Sequence, residues 1–215
     1  SQLASSVMVD TSTSSNAFVA MGGKVYFSAY TDANGRELWV TDGTVSGTHM
    51  VADIWPGTVD HYPMYMVALG DKLIYSGASN SGRELWVSDG TAGGTQLLAN
   101  INTATSPTGS SNPAYLAVVG DKVVFSAAAT TSGYTGITQL WVTDGTTVGT
   151  QLLKQINTSG AASPEFLTNY GANKALFVAS DGPRVNAGHP TLFLGSRGAI
   201  NFSLAVRSRD KAYHS

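Results

Sequence analysis

The side chains best suited to hold a ligand lie within one short segment, residues 55–63. Trp55 and Tyr62 offer aromatic faces, which stack on sugar rings and on apolar side chains. Asp60 and His61 can form hydrogen bonds at the edge of such a platform. This combination predicts a ligand-binding site formed by Trp55, Asp60, His61 and Tyr62.

No comparable set of residues stands at the corresponding places further along the chain. Residues 102–112 and 157–163 also join one sequence repeat to the next, and they contain no aromatic residue. The repeat itself therefore does not require the aromatic segment, which favours a role in binding. The alternative interpretation is that Trp55 and Tyr62 cover the end of the fold.

Catalytic chemistry has few candidates in this sequence. The chain contains no cysteine, which excludes disulfides, thiolate catalysis and cysteine-ligated metals. Only three glutamates occur, and two of them, Glu37 and Glu84, belong to a repeated motif rather than to an isolated carboxylate pair. Neither a Gly-x-Ser-x-Gly nucleophile motif nor a Gly-Lys-Ser/Thr phosphate loop is present. We expect a protein without catalytic residues; a secreted hydrolase is the less favoured alternative.

Metal binding is also poorly supported by the residue spacing. The four histidines, at positions 49, 61, 189 and 214, show no metal-ligand spacing. Asp32 to Gly35 resembles the start of a calcium loop, but the matching segment Ser79 to Gly82 has no Asp. An ordinary hairpin turn is the favoured interpretation. We expect no metal and no other cofactor, with calcium as the minor alternative.

The fold that positions these residues is built from repeats. The motif Glu-Leu-Trp-Val-Thr/Ser-Asp-Gly-Thr begins at residues 37 and 84, and it returns at 139 with Gln in the first place. Each copy is followed by a Gly-Thr pair. A weaker fourth copy comprises Asn173–Val178 and Thr191–Leu194. Four lysines that mark the repeats are spaced 48, 50 and 52 residues apart: Lys24, Lys72, Lys122 and Lys174.

Each repeat contains four short apolar runs separated by turn residues. In the second repeat these runs are Met64–Leu69, Lys72–Gly77, Glu84–Val87 and Thr95–Ile101. The runs are apolar nearly throughout, which is typical of strands covered on both faces. A four-stranded unit buried between its neighbours is a blade of a β-propeller. We predict an all-β propeller of about four four-stranded blades, either a small closed ring or an arc of a larger one, without a helix longer than two turns.

The repeated motif also predicts the places of its own side chains. The tryptophans are expected in the core between blades: Trp39, Trp86 and Trp141. The aspartates of the Asp-Gly-Thr turns are expected to accept backbone N–H groups rather than to bind metals: Asp42, Asp89 and Asp144. The adjacent Arg–Glu pairs indicate repeated surface ion pairs: Arg36 with Glu37, and Arg83 with Glu84.

Composition narrows the classes of partner. Charged residues make up 12% of the 215-residue chain and its formal net charge is −2, which argues against nucleic acid and against a charged membrane surface. No run of 18 apolar residues occurs, so we expect no membrane insertion. A glycan or a protein surface is the expected partner, and a homo-oligomer is also compatible with the sequence.

The motif Glu-Leu-Trp-Val-Thr-Asp-Gly-Thr-x-x-Gly-Thr resembles the ELWxTDGTxxGT repeats of bacterial secreted and cell-surface proteins, which are loosely called hyalin-like or adhesin-like. The resemblance covers residues 17 to 160 and becomes poor after Ala161. It implies an extracellular or cell-surface repeat array with binding or structural duties. It supplies no catalytic residues, and the fourth copy departs from it by losing the Trp and the Asp-Gly-Thr turn.

The repeats predict one domain over residues 1–215. Its blades are expected at about 17–58, 62–104, 111–160 and 163–210, and residues 1–10 could supply a strand that completes the last blade. Residues 200–206 could fill the same place. Four blades could therefore close alone, form an arc of a longer array, or close through copies of the chain.

Two functions from different classes are compatible with this architecture. The favoured one is a non-catalytic extracellular binding module, adhesin-like or lectin-like, that recognises a glycan or a partner surface through loops at one end of the propeller. The alternative is a structural unit that assembles with copies of itself.

Overall fold

The computed structural model describes residues 8–9, 18–102, 109–131, 134–156, 164–169, 175–179, 191–196 and 201–205. Every regular element within these ranges is a β-strand, as the sequence predicts. The strands are β1 (Met8–Val9), β2 (Phe18–Met21), β3 (Lys24–Thr31), β4 (Gly35–Thr41), β5 (His49–Ala52), β6 (Met64–Leu69), β7 (Lys72–Ser79), β8 (Gly82–Ser88), β9 (Gln96–Ala99), β10 (Ala114–Val119), β11 (Lys122–Thr131), β12 (Tyr134–Thr143), β13 (Gln151–Lys154), β14 (Pro164–Asn169), β15 (Ala175–Ala179), β16 (Thr191–Ser196) and β17 (Asn201–Ala205).

The strands form four antiparallel sheets that follow one another along the chain. We call the sheets β2–β5, β6–β9, β10–β13 and β14–β17 the first to fourth blades. A tight hairpin joins the predicted runs Met64–Leu69 and Lys72–Gly77, and Gly70 turns it with a φ of 61°, a conformation that glycine adopts without penalty. In the fourth blade Phe177 lies opposite Phe193, as Phe27 lies opposite Trp39 in the first, which confirms the weak fourth repeat.

The N-terminal strand lies in the first blade. Met8 and Val9 of β1 pair with Tyr30 and Ala29 of β3, on the same edge of β3 that β2 follows further along. The outer place of the fourth blade is taken by β17 (Asn201–Ala205). The order of the fourth blade therefore matches the alternative in which residues 200–206 fill that place, whereas residues 1–7 lie outside the described ranges.

Consecutive blades bury a hydrophobic cluster between them. We call the side of a blade that meets the preceding blade its leading face, and the opposite side its trailing face. The trailing face of the first blade includes Tyr26, Leu38 and Val40, and it packs against Tyr75 and Trp86 on the leading face of the second. The second and third blades repeat this arrangement, as do the third and fourth. The second and third blades are therefore covered on both faces by their neighbours, as their continuous apolar runs predict.

Tryptophan marks the leading face of the blades. Trp86 is 7% exposed inside the cluster between the first and second blades. Trp141 is half-buried and packs against the next cluster. Trp39 is half-buried on the first blade. The prediction that these residues form interblade core is therefore confirmed for Trp86 and Trp141, which touch the preceding blade.

The aspartates of the repeat motif organise turns, as predicted. Asp42 Oδ1 accepts the backbone N–H of Thr44 at 2.9 Å and its hydroxyl at 2.7 Å. Equivalent pairs of bonds join Asp89 to Thr91 and Asp144 to Thr146. The hydrogen bonds from Thr44 are also the main cause that lowers the pKa of Asp42.

The first strands of the blades lie side by side, and β2, β6 and β10 line an open groove of about 590 Å³. Over the residues that the structure describes, there is no helix with the length and apolarity needed to cross a membrane.

Candidate functional site

One end of each blade carries the linker to the next blade. The linker from the first blade to the second crosses the start of β4, where Arg36 donates its backbone N–H to Asp60 Oδ1 at 2.8 Å and accepts the N–H of Tyr62 on its carbonyl at 2.9 Å. The carbonyl of His61 then accepts the N–H of Ala78 at 2.7 Å, which ties the linker to β7 of the second blade.

The next linker has the same architecture although its residues differ. Arg83 donates its backbone N–H to Ser110 Oγ at 2.9 Å, and its carbonyl accepts the N–H of Asn112 at 3.1 Å. Ala128 N–H donates to the carbonyl of Ser111 at 2.7 Å. Three of the four residues of the predicted site therefore have counterparts: Asp60 corresponds to Ser110, His61 to Ser111 and Tyr62 to Asn112.

The buried glutamates of the repeat motif accept hydrogen bonds from the backbone of these linkers. Glu37 is fully buried, and its carboxyl oxygens accept the N–H groups of Ile54 and Trp55 at 3.3 and 3.4 Å. The N–H of His61 also reaches this carboxyl group. Burial raises the pKa of Glu37 to about 8 against the opposing effect of these donors.

Glu84 repeats this role with shorter bonds. Its carboxyl oxygens accept Ile101 N–H at 2.9 Å, Ser111 N–H at 2.8 Å and the Ser111 hydroxyl at 2.5 Å. Gln139 in the third blade accepts Ile156 N–H at 2.8 Å. The predicted surface ion pairs are therefore wrong, because Glu84 and its counterpart Glu37 have no exposed surface. Adjacent strand residues point to opposite faces, which separates each glutamate from the arginine before it.

His61 lies in the core between the first two blades. It is 0% exposed, its Nδ1 lies 2.6 Å from the carbonyl of Ala78, and its Nε2 lies 3.1 Å from the hydroxyl of Tyr75. The ring also meets Trp86 edge-on, with 4.7 Å between centroids. The prediction that His61 contacts a ligand is therefore wrong, because the residue has no surface to offer.

The charge state of His61 follows from this position. Desolvation is the largest effect and lowers its pKa to about 4. The ring is therefore neutral at physiological pH. A carbonyl can only accept, so Nδ1 donates to Ala78 and Nε2 accepts the hydroxyl proton of Tyr75.

Two arginine side chains lie close to the ring of Tyr62. The guanidinium carbon of Arg36 lies 4.6 Å from the centre of the Tyr62 ring, and that of Arg83 lies 5.6 Å from it. Arg83 Nη1 also donates to the Tyr62 carbonyl at 3.0 Å. Sequence reasoning missed both arginines, although each occupies the same place in its repeat and so had to lie at the same end of its blade.

The other two predicted residues stay at this end. Asp60 is exposed, and Gly35 lies so close to it that a Cβ there would stand 3.0 Å from Asp60 Oδ1. Trp55 is half-buried, and its backbone is held by Glu37. The structure therefore keeps Trp55, Asp60 and Tyr62 on one linker and adds Arg36 from the adjoining strand.

The suspected calcium segment is a hairpin turn between β3 and β4. Thr31 Oγ1 accepts the backbone N–H of Asn34 at 3.2 Å, and Asn34 Nδ2 donates to Asp53 Oδ2 at 3.0 Å. Gly35 completes the turn with a φ of 66°. Within the described ranges, no three His, Asp or Glu side chains come together in a way that could hold a metal ion.

No protein-family model and no curated protein matches this sequence. Solved structures do match its fold. TolB from Acinetobacter baumannii matches with a TM-score of 0.53 at 13% identity, over 94% of this chain and 45% of the TolB chain. Puromycin hydrolase matches with a TM-score of 0.50 at 14% identity, over 91% of this chain and 33% of its own.

A glycoside hydrolase of family 117, Zg3597 from Zobellia galactanivorans, has a TM-score of 0.46 at 13% identity and is covered over 70% of its length. This chain spans less than half of the TolB and puromycin hydrolase chains. At such identities the likeness to TolB and puromycin hydrolase concerns the fold alone, and the likeness to TolB places this all-β chain among propeller-type structures.

Gly77 provides a test of the His61 position. A Cβ on Gly77 would lie 2.6 Å from His61 Nε2, whereas the third blade has Ala127 and the smaller Ser111 at the same places. We expect Gly77→Ala to lower the free energy of unfolding by about 1–3 kcal/mol through overpacking. The double variant with His61→Ser recreates the pair of the third blade. Its loss of unfolding free energy in denaturant titrations should therefore be smaller, by at least about 1 kcal/mol, than the sum of the losses of the two single variants. Strictly additive losses would contradict this packing.

Proposed function

We propose that this chain is a non-catalytic extracellular binding module that recognises an acidic glycan at the end of the propeller where Arg36 and Arg83 meet Tyr62. The two arginines around the ring of Tyr62 carry the proposal. The φ of Tyr62 is 48°, in the left-handed region that costs a non-glycine residue about 1–2 kcal/mol. Tyr65 and Tyr115 share this conformation at the bulges of β6 and β10, so what sets Tyr62 apart is that its strained backbone holds an aromatic ring beside two cations.

The neighbouring linker supports this argument. Asn112 occupies the same place with a φ of 46°, and asparagine is among the residues that tolerate this conformation best. The backbone of the linker thus requires the left-handed region in both places, and asparagine satisfies it at lower cost. The first linker carries a tyrosine instead, beside two cations.

The chemistry of the ligand follows from the charges. Two guanidinium groups within 6 Å of one ring produce a local positive potential on a chain whose net charge is −2. Carboxylate and sulfate groups match the planar donors of arginine, and an aromatic face with the exposed Asp60 suits the body and hydroxyl groups of a sugar. A glycan containing uronate is the class that uses all of these features.

An extracellular setting is what the ELWxTDGTxxGT resemblance implies, and it supports a glycan as the partner. A binding role without catalysis is supported by the site itself, because its histidine is buried and neutral. Its one exposed carboxylate, Asp60, is held by a backbone bond to Arg36.

We expect the chain to bind oligogalacturonate in titration calorimetry, with an affinity that falls as salt rises. Tyr62→Asn should leave the free energy of unfolding within about 1 kcal/mol of wild type, because relief of the left-handed strain offsets the lost cation–π contacts. The same variant and Arg36→Ala should each weaken binding at least tenfold. Tyr62→Asn thus separates a binding residue from one that merely covers the end of the fold.

Lys24→Ala is the matched control, because it also removes one exposed cation but at the far end of the blade. Arg36 pairs with Tyr30 of β3, and Lys24 lies six residues before Tyr30, at the opposite end of that strand. Its affinity should equal that of wild type. Equal losses in Lys24→Ala and Arg36→Ala, or equal binding of a neutral oligosaccharide, would contradict the proposed site. New reducing ends in the titrated sample would contradict a non-catalytic module.

A further inference from the structure

Two tyrosine rings meet across the boundary between the second and third blades. Tyr65 stands near the start of β6 and Tyr115 near the start of β10, and their ring centroids lie 5.6 Å apart with 49° between the ring planes. We call them the tyrosine pair. Both residues are half-buried, so each keeps part of its surface exposed. The linker that contains Tyr62 leads into β6, which places the pair at the same end of the propeller as the proposed site.

The backbone directs both rings in the same way. Each tyrosine lies in a bulge, where β6 loses register with β7 and where β10 loses register with β11. Bulges redirect side chains, and they are common beside functional sites. The base of Tyr65 packs against one interblade cluster and that of Tyr115 against the next. The pair is therefore a fixed aromatic surface that spans two blades.

Arg83 connects this surface to Tyr62. Its Nη1 donates to the Tyr62 carbonyl at 3.0 Å and to the Ser76 carbonyl at 3.4 Å. Ser76 is the β7 partner of Met64, which precedes Tyr65. The guanidinium group therefore joins the linker to the start of the second blade. Burial lowers the pKa of Arg83, and the nearby Tyr62 and Tyr65 oppose that effect, in agreement with this position.

The far side of the tyrosine pair carries an acidic group. Glu165 is half-buried near the start of β14, and β14 lies beside β10. Burial raises the pKa of Tyr115, and the nearby Glu165 and Tyr65 act in the same direction. The surface thus runs from two cations, over two rings, to one carboxyl group.

This order of charges determines which sugar suits each part of the surface. A carboxylate on a sugar is attracted by Arg36 and Arg83 and is repelled by Glu165. A neutral sugar stacks on aromatic rings, and its hydroxyl groups can donate to a carboxylate. Uronate is therefore favoured at the arginines and a neutral sugar at the tyrosine pair.

We propose that the acidic-glycan site continues onto the tyrosine pair, which binds a neutral sugar of the same glycan chain. The ligand is then a glycan in which uronates are joined to neutral sugars. This inference rests on the proposed function, because the arginines anchor the uronate end of that chain.

Titration calorimetry with two series of glycans tests the inference. One series is the disaccharide and tetrasaccharide of hyaluronan, in which glucuronate alternates with neutral N-acetylglucosamine. The other is digalacturonate and tetragalacturonate, in which every sugar is acidic. We expect the longer hyaluronan fragment to bind at least about tenfold more tightly than the shorter one, and the same lengthening to strengthen galacturonate binding less than about threefold.

Variants of the tyrosine pair assign that gain to the rings. Tyr65→Asn and Tyr115→Asn remove a ring with a residue that tolerates the left-handed backbone. Each should abolish most of the gain from hyaluronan disaccharide to tetrasaccharide and leave disaccharide binding unchanged. Tyr115→Phe keeps the ring and should keep most of the gain, which controls for folding. Tyr62→Asn should instead weaken both lengths.

Glu165→Gln tests the selection against acidic sugars. It should strengthen tetragalacturonate binding about threefold and leave the hyaluronan tetrasaccharide unchanged. Asp121→Asn is the matched control, because it removes an exposed carboxylate at the turn that follows the opposite end of β10. It should change neither affinity.

Three results would overturn the inference alone: equal gains with length in the two series, an intact hyaluronan gain in both asparagine variants, or equal effects of Glu165→Gln and Asp121→Asn. In each of these cases Tyr62→Asn and Arg36→Ala would still weaken disaccharide binding, and the proposed function would stand. A wild-type chain that binds neither series would overturn the proposed function and this inference together.

Discussion

Trp86→Ala is expected to lower the free energy of unfolding by about 3–5 kcal/mol, the range for deleting a large buried aromatic side chain. Trp86 is 7% exposed and contributes to the only cluster that joins the first and second blades over the described residues. Its ring also packs edge-on against His61. Deleting the indole therefore opens a cavity beside a buried imidazole.

Two other variants make this prediction specific. Trp55→Ala should cost well under 3 kcal/mol, because the half-buried Trp55 contributes its backbone N–H to Glu37 and alanine keeps that group. Trp86→Phe should fall between them, since the buried Nε1 of Trp86 has no hydrogen-bond partner in the described structure and phenylalanine loses only volume. Urea titrations measure the free energy of unfolding of all three variants, and they are comparable where its dependence on urea concentration is the same. Equal losses of this free energy for Trp86→Ala and Trp55→Ala would contradict the placement of both residues.

The blades were accessible from sequence because local and global signals agree in them. The turn at Gly70, the strand Met64–Leu69 and the Asp42 turn each follow from residues a few positions apart. Repetition then multiplies a weak local signal, which is how Phe193 could be aligned with Trp39 despite the change of residue.

The site was less accessible because residue type does not reveal which face a side chain takes. His61 and Tyr62 are neighbours with similar ligand chemistry, yet one ring lies in the interblade core and the other reaches the surface. The prolines at positions 63 and 113, each followed two residues later by a tyrosine, were the signal that aligns His61 with Ser111. That alignment would have indicated a linker position rather than a ligand contact.

For the buried glutamates, too, the residue type did not reveal which face the side chain takes, because both were predicted to lie at the surface. Arg83 beside Glu84 looks like an ion pair when read as adjacent letters, but alternation along β8 sends the two side chains to opposite faces. Gln139 at the third copy was the available clue, because an amide replaces a carboxylate where an acceptor oxygen is needed and a charge is not.

Glu84→Leu therefore provides a strong test of how the linkers are held. Glu84 accepts the backbone N–H groups of Ile101, Asn102 and Ser111 and the hydroxyl group of Ser111, and leucine accepts none. Of these donors, Ser111 N–H keeps a second acceptor in the carbonyl of Arg83 at 3.1 Å. A buried donor left without an acceptor costs about 1–3 kcal/mol, so we expect a total loss of about 3–5 kcal/mol in the free energy of unfolding. Leucine is similar in size, which separates the lost acceptor from the opening of a cavity.

Graded replacements identify the cause of that loss. Ser111→Ala removes only the hydroxyl donor and should cost about 1 kcal/mol, and Glu84→Gln keeps one acceptor oxygen and should cost about 1–2 kcal/mol. Amide hydrogen exchange should quicken at Ile101 and Ser111 in Glu84→Leu and much less in Glu84→Gln. If Glu84→Leu were as stable as Glu84→Gln, the carboxyl group would not be what holds the linker between the second and third blades.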